Sequence, residues 1–216
     1  MSVEAYMKNI LSGDKASNYE IMAEEARKRF LSMDMEEISI RTGNTLGGET
    51  FRICFLGREY TVSTKSGIVT GTDGTPVDYS VSMILYDLLG YAKQEARPSG
   101  NYTQVQNLAQ VVSAAKYAGK GMFDKRVQQM DGKDVQLRAA CEKLGGMPWG
   151  KGDVSYIIPL YRDLKFVFSF WDSDDEFAAS ASVLFDSNSL LYMHYETLWY
   201  CLSHIFSRIE EEMSEA

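Results

Sequence analysis

Apolar and polar residues change their period several times along the chain, and each change marks an element. Ser17 with Glu20 has the spacing of a capping box, and Tyr19, Met22, Ala23, Ala26 and Phe30 follow at helical intervals. This predicts a helix over about 18–32, a shorter one before it that ends at Gly13, and a third over Met35 to Arg41. The pattern then turns to period two. Phe51, Ile53 and Phe55 alternate with Arg52 and Cys54, and Tyr60 and Val62 continue beyond Gly57-Arg58. Glycine at the first turn position favours a type II′ hairpin, which Ile68-Val69 extends into a third strand. Val81, Ile84, Leu85, Leu88 and Leu89 mark a buried helical face, terminated by Pro98-Ser99-Gly100.

In the second half, Thr103 with Gln106 makes another capping box, and Val105, Leu108, Ala109 and Val112 share a face until Gly119 and Gly121 break the run. A helix through Leu137, Ala140, Cys141 and Leu144 stops at Gly145-Gly146. Three strands follow, over 154–160, 164–171 and 179–185. Leu164, Phe166, Phe168 and Phe170 share one face of the middle strand, which makes it a core strand, and Trp171 falls on the opposite face with Val167. The last helix, about 191–211, carries Leu191, Tyr195, Leu198, Leu202, Ile205 and Ile209 before an acidic end. Helices and strands come in blocks joined by hairpins, without regular βαβ alternation. The expected class is α+β, a mostly antiparallel sheet of about five to six strands packed with helices. The expected organisation is an N-terminal helical extension (1–14), one α+β domain (15–210) and an acidic tail (211–216).

Composition narrows the function classes. At 216 residues, 45% apolar and 24% charged, the chain suits one globular domain. Its net charge of −8 is concentrated at one end: residues 172–216 hold ten acids and one base, and the remainder is nearly neutral. The richest basic stretch, Lys116 to Lys143, has seven bases against four acids and only Tyr117 and Phe123 as aromatics, so a nucleic-acid partner is not expected. The start lacks a basic region followed by a continuous apolar run, and Leu190 to Phe206 is interrupted by His194, Glu196 and His204, so neither a signal peptide nor a membrane span is expected. Three widely spaced cysteines, Cys54, Cys141 and Cys201, fit free thiols in a reducing compartment, and a cytoplasmic location is expected.

Candidate chemistry gathers at 171–186, where two strand-like runs enclose Asp172, Asp174, Asp175 and Glu176. Clustered carboxylates either stay solvated at a turn or attract a cation, because each raises the pKa of its neighbours. The first three alternate acids have calcium-loop spacing, but Phe177 stands where that loop needs glycine and Val183 where it needs a bidentate glutamate. The loop Gly145 to Gly152 has P-loop glycines and Lys151, but Gly152 replaces the required Ser or Thr, and the loop enters a strand instead of a helix. Cys201 and His204 on the last helix are two ligands at most, with His194 on the same helix about 10 Å away along the axis. No zinc or iron site is expected. There is no G-x-S-x-G elbow, and only two histidines are present to act as a base. Whether the chain is an enzyme is left open.

The block W-x-x-D-D-E-F followed by L-F-D, preceded by G-D-V-x-Y-x-I-P, resembles an uncharacterised domain family of bacteria and archaea. Its members are mostly strict anaerobes such as clostridia, sulfate reducers and methanogens. The residues that carry the likeness are Gly152, Asp153, Trp171, Asp174, Asp175, Glu176, Phe177, Leu184, Phe185 and Asp186. Leu85-Tyr86, Pro98-Ser99-Gly100 and Tyr102 add to it, although the family usually has Trp at the last of these. The likeness spans most of 15–210. Some relatives are fused to a short cysteine-rich iron–sulfur domain, which implies anaerobic redox or one-carbon metabolism; three cysteines are too few for this chain to hold a cluster itself. The resemblance implies no established activity and no cofactor. It leaves an accessory or binding protein with a small-molecule or protein partner as the leading expectation. Trp171, Asp174, Asp175, Glu176 and Asp186 are its candidate binding residues. The alternatives are a divalent-metal enzyme using the acidic block and an interaction module with an acidic C-terminal third.

Overall fold

The computed structural model describes residues 18–108 and 121–215. The short helix ending at Gly13, Ser17 of the first capping box, and Ala109 and Val112 lie outside the described residues. The class is α+β as expected, but the strands divide between two antiparallel sheets instead of one. The chain likewise divides into two compact units, residues up to 96 with 191–201, and residues 97–190 with those from 202 onward.

The first unit opens with α1 (Asn18–Leu31) and α2 (Met35–Thr42). Asp34 caps α2 by accepting the amides of Glu36 and Glu37 at 2.9 and 3.0 Å, and Gly43 closes it in the left-handed region. Strands β1 (Thr45–Gly47), β2 (Thr50–Phe55), β3 (Arg58–Ser63) and β4 (Val69–Thr70) pair in chain order. Phe51, Ile53 and Phe55 are buried, as their alternation requires. The hairpin turn differs from expectation by one residue. Phe55 pairs with Arg58, so Leu56 and Gly57 form the turn, at φ 48° and 72°. Positive φ at both positions is type I′, not II′. The Leu56 side chain is buried, and that packing holds a leucine where local chemistry would favour glycine. β1 was not anticipated, because three residues are too few to show a period.

Helix α3 (Tyr79–Tyr86) is capped by Asp78, which accepts the amides of Ser80 and Val81 at 2.8 and 3.1 Å. It does not run on regularly towards Pro98. A π-turn occupies Asp87–Tyr91, where the Ala92 amide reaches back five residues to the Asp87 carbonyl at 3.0 Å. Phe30 of α1 stacks on Tyr86 at 5.7 Å and meets Phe51 edge-on at 6.3 Å, so α1, α3 and the sheet share one core.

In the second unit the sheet order is β5 (Tyr102–Thr103), β9 (Ser180–Asp186), β8 (Leu164–Trp171), β7 (Val154–Tyr161), β6 (Met147–Pro148). Thr103 thus lies in a strand and does not cap the short helix α4 (Val105–Leu108). Helices α5 (Asp124–Gln128) and α6 (Asp134–Lys143) follow, and α7 (Tyr195–Ser214) supplies its residues from 202 onward. Leu164, Phe166, Phe168 and Phe170 are fully buried; Phe168 meets Phe206 edge-on, and Phe206 stacks on Phe123 at 4.6 Å. The glycine-rich loop has a packing role. Gly152 sits at φ 136°, and a Cβ there would lie 2.9 Å from the Phe170 carbonyl oxygen. α7 starts at Tyr195, later than expected, because Ser189–Leu191 forms a separate 3₁₀ turn; it then continues to Ser214. Among the described residues no helix is long and apolar enough to cross a membrane.

Candidate functional site

The π-turn places a carboxylate where a regular helix would bury an apolar side chain. Asp87 interrupts the run Leu85-Tyr86-Asp87-Leu88-Leu89 and is only 8% exposed. Widened turns of this kind recur at functional sites, since they shift side chains off the helical raster. The turn is held from outside by Arg41 of α2, whose guanidinium donates to the carbonyls of Leu89 (2.9 Å), Gly90 (3.5 Å) and Ala92. Gly90 lets Met33 come close: a Cβ there would stand 3.0 Å from the methionine sulfur.

Asp87 accepts three donors from the segment before and inside α7. The backbone amide of His194 donates at 2.9 Å, the Thr197 hydroxyl at 2.6 Å, and the His194 ring nitrogen Nδ1 stands 2.9 and 3.0 Å from the two carboxylate oxygens. A carboxylate only accepts, so Nδ1 carries a proton, and in the neutral form of the ring Nε2 is the acceptor. The Tyr91 ring lies 3.8 Å from the imidazole, centroid to centroid and tilted by 40°, and Lys93 Nζ sits 4.4 Å over the Tyr91 ring. The His194 side chain is 44% exposed and lines a cavity of about 130 Å³ with Arg29, Phe30, Met33, Tyr86 and Gly90. Every one of these residues belongs to the first unit. An aspartate-oriented imidazole on a cavity wall is the arrangement of a general base.

The acidic block is used differently. Asp186 is fully buried, and its oxygens accept the Ser99 amide and hydroxyl (2.9 and 3.0 Å), the Gly100 amide (2.8 Å) and the Asn188 amide (2.8 Å). It is a structural acceptor that ties the Pro98-Ser99-Gly100 loop to the end of β9. Asp174 forms a turn with itself as acceptor, taking the amides of Glu176 and Phe177 at 2.9 and 2.7 Å. Asp175 and Glu176 are exposed, and Trp171 is 38% exposed at the end of β8. Asp172 belongs to another group, with Asp131, Asp134 and Asp153. The Ser173 amide and hydroxyl hold the Asp131 carboxyl below its ordinary value, whereas burial, then hydrogen bonding and charge from Asp172, push Asp134 up. Among the described residues no group of three or more His, Cys, Asp or Glu side chains is placed to hold a metal ion. Cys201 is buried with its sulfur 3.4 Å from Met193 Sδ, and His194 precedes α7 instead of lying on the last helix as expected. Cys54 is an exposed free thiol; burial pushes the thiol of Cys141 up to about 12 and that of Cys201 well above its ordinary value.

Residues 34–208 match a family described as a domain of unknown function. The chain belongs to this family, DUF3786. The matched span includes Asp87, His194 and Thr197 as well as the acidic block. No curated protein and no solved structure matches the chain.

Sequence reasoning passed over the Asp87–His194 pair, although one signal was present: a charged residue within the apolar run that continues from α3 into the π-turn, at Asp87. A buried carboxylate requires donors, and that demand alone pointed to a partner elsewhere in the chain. For the acidic block of this DUF3786 domain the expected mutational pattern is graded. Phe185→Ala should cost about 3–5 kcal/mol, because the ring is fully buried. Trp171→Ala, at a partly exposed position, should cost about 2 kcal/mol. Asp174→Ala should cost about 1 kcal/mol through its two lost turn contacts, with no added loss or gain from magnesium. Urea melts of the three variants check the order, and a magnesium-dependent stabilisation of the wild type alone would restore the acidic block as a metal site.

Proposed function

We propose that the protein binds a small molecule in the first unit and moves a proton through the Asp87–His194 pair. One observation carries this reading: an Asp87 carboxylate held by three donors fixes the proton of His194 on Nδ1, beside a cavity of about 130 Å³. General-base assistance by a positioned imidazole contributes roughly 10²–10⁴ in rate, so the pair suits a modest proton-transfer or hydrolytic step. Thr197 and Arg41 are positioning residues, the first on the carboxylate and the second on the π-turn that presents it. The setting is a cytoplasmic accessory protein of anaerobic metabolism; free thiols at Cys54, Cys141 and Cys201 and the family resemblance support it. The acidic block is not part of this reading, because the buried member, Asp186, and the turn residue, Asp174, already accept backbone amides.

The test is the tautomer of the His194 ring, read by long-range proton–nitrogen correlation, with its signals separated from those of His204 by a His204→Gln variant. The wild type should show the proton on Nδ1, and Asp87→Ala should return the ring to the tautomer mixture of free imidazole. A wild-type ring protonated on Nε2 would remove the acceptor and with it the proposed role.

A further inference from the structure

Resting on the reading just given for His194, the chemistry of the cavity wall specifies a ligand class. Its volume, about 130 Å³, is close to that of a protein cavity known to admit benzene, so it suits a ligand of about six non-hydrogen atoms. Two residues of formal charge stand in its wall besides the imidazole, Asp87 and Arg29. Asp87 is committed to its three donors. Arg29, at the end of α1, is exposed and makes no ion pair or side-chain hydrogen bond among the described residues; the nearby acid of the same helix, Glu24, is taken by Arg27 at 2.7 Å. A guanidinium fork without a carboxylate is complementary to one, because its paired N–H groups match the two oxygens. His194 lines the same cavity, and Nε2 of its neutral ring accepts a hydrogen bond, which a hydroxyl can donate. Phe30, Met33 and Ala26 leave the rest of the wall apolar, suited to a short alkyl group.

We infer that the cavity binds a small hydroxycarboxylate, its carboxylate on Arg29 and its hydroxyl donating to Nε2 of His194. Lactate, with six non-hydrogen atoms, has this size and arrangement, and serves as the probe. Both enantiomers of lactate, together with propionate and lactamide, are to be titrated into the protein while the ring signals of His194 are followed. One lactate enantiomer should shift them saturably with a dissociation constant of about 1 mM. Propionate, which lacks the hydroxyl, and lactamide, which lacks the charge, should each bind at least about tenfold more weakly. Arg29→Gln, at an exposed position, should weaken lactate about tenfold or more and leave lactamide unchanged. The inference is overturned by any of three results: no saturable shift from lactate up to about 50 mM, lactamide or propionate binding as tightly as lactate, or undiminished lactate binding by Arg29→Gln. Failure here is separable from failure of the proton-transfer reading, since the ring tautomer is measured on the ligand-free protein.

Discussion

Replacing Arg208 by alanine is expected to lower the unfolding free energy by about 3–5 kcal/mol. Arg208 is 4% exposed, although it lies near the end of the last helix. Its guanidinium meets Glu212 at 2.5 Å and also pairs with Glu211, and Glu212 in turn meets Lys143 of α6 at 2.7 Å. Removing the arginine strands the buried Glu212 with one partner, and an uncompensated buried charge is the costly outcome. The double change Arg208→Met with Glu212→Leu should recover most of the loss, because it removes both desolvation penalties together. A single variant within about 1 kcal/mol of wild type in urea melts would show the network to be solvated. Acid should act on the same network. Burial pushes the Glu212 carboxyl up, but hydrogen bonds from Lys143 and Arg208 and their charges outweigh it and hold the group below its ordinary 4.5. A depressed carboxyl stabilises the fold fully above its ordinary value, and the stabilisation is lost as pH falls through the depressed one. Melts on descending below about pH 4.5 should therefore converge for wild type and the double variant.

The second large effect is expected at Asp87. Its replacement by alanine should cost about 3 kcal/mol, since the Thr197 hydroxyl, 2% exposed in its residue, and the His194 amide and ring N–H all lose their acceptor. The ring is partly exposed and regains water, so the loss falls mainly on the two other donors. Thr197→Val, which removes one donor along with its demand, should cost under about 1 kcal/mol. A turnover assay for an identified substrate should rank these variants differently: His194→Gln, though tolerated by the fold, loses about 10²-fold or more. If Asp87→Ala costs no more than Thr197→Val, the carboxylate does not organise the segment before α7.

Much of the architecture was legible because it is local. The alternation of Phe166, Phe168 and Phe170 placed β8 and its buried face, and put Trp171 opposite, where Ser180 is its register partner. The glycines at 145–152 read as a connector, and the close approach of Gly152 to Phe170 gives the physical reason. Other features depend on contacts that no window of sequence contains. The division of strands between two sheets follows from which edges pair, a choice that the same alternating pattern permits in several ways. The Leu56-Gly57 turn was misplaced by one residue because burial of Leu56 overrode turn preference.

By itself, the sequence determined the α+β class, the antiparallel hairpins, the core face of β8 and the absence of any complete metal or nucleophile motif, since periods of 2 and 3.6 and fixed motif spacings are properties of neighbouring residues. Only the tertiary structure decided the site. Asp87 and His194 are 107 residues apart, and they meet where Arg41 holds the π-turn from one side while His194, just before the last helix, and Thr197, in its first turn, supply donors from the other. The acids at 171–186 were conspicuous in sequence for their density, yet folding gives Asp186 and Asp174 to backbone amides. The solitary Asp87 instead acquires His194 and Thr197 as its partners. Hydrogen-bond satisfaction of a buried charge is a three-dimensional condition, and it is met by whichever donors the fold brings within about 3 Å.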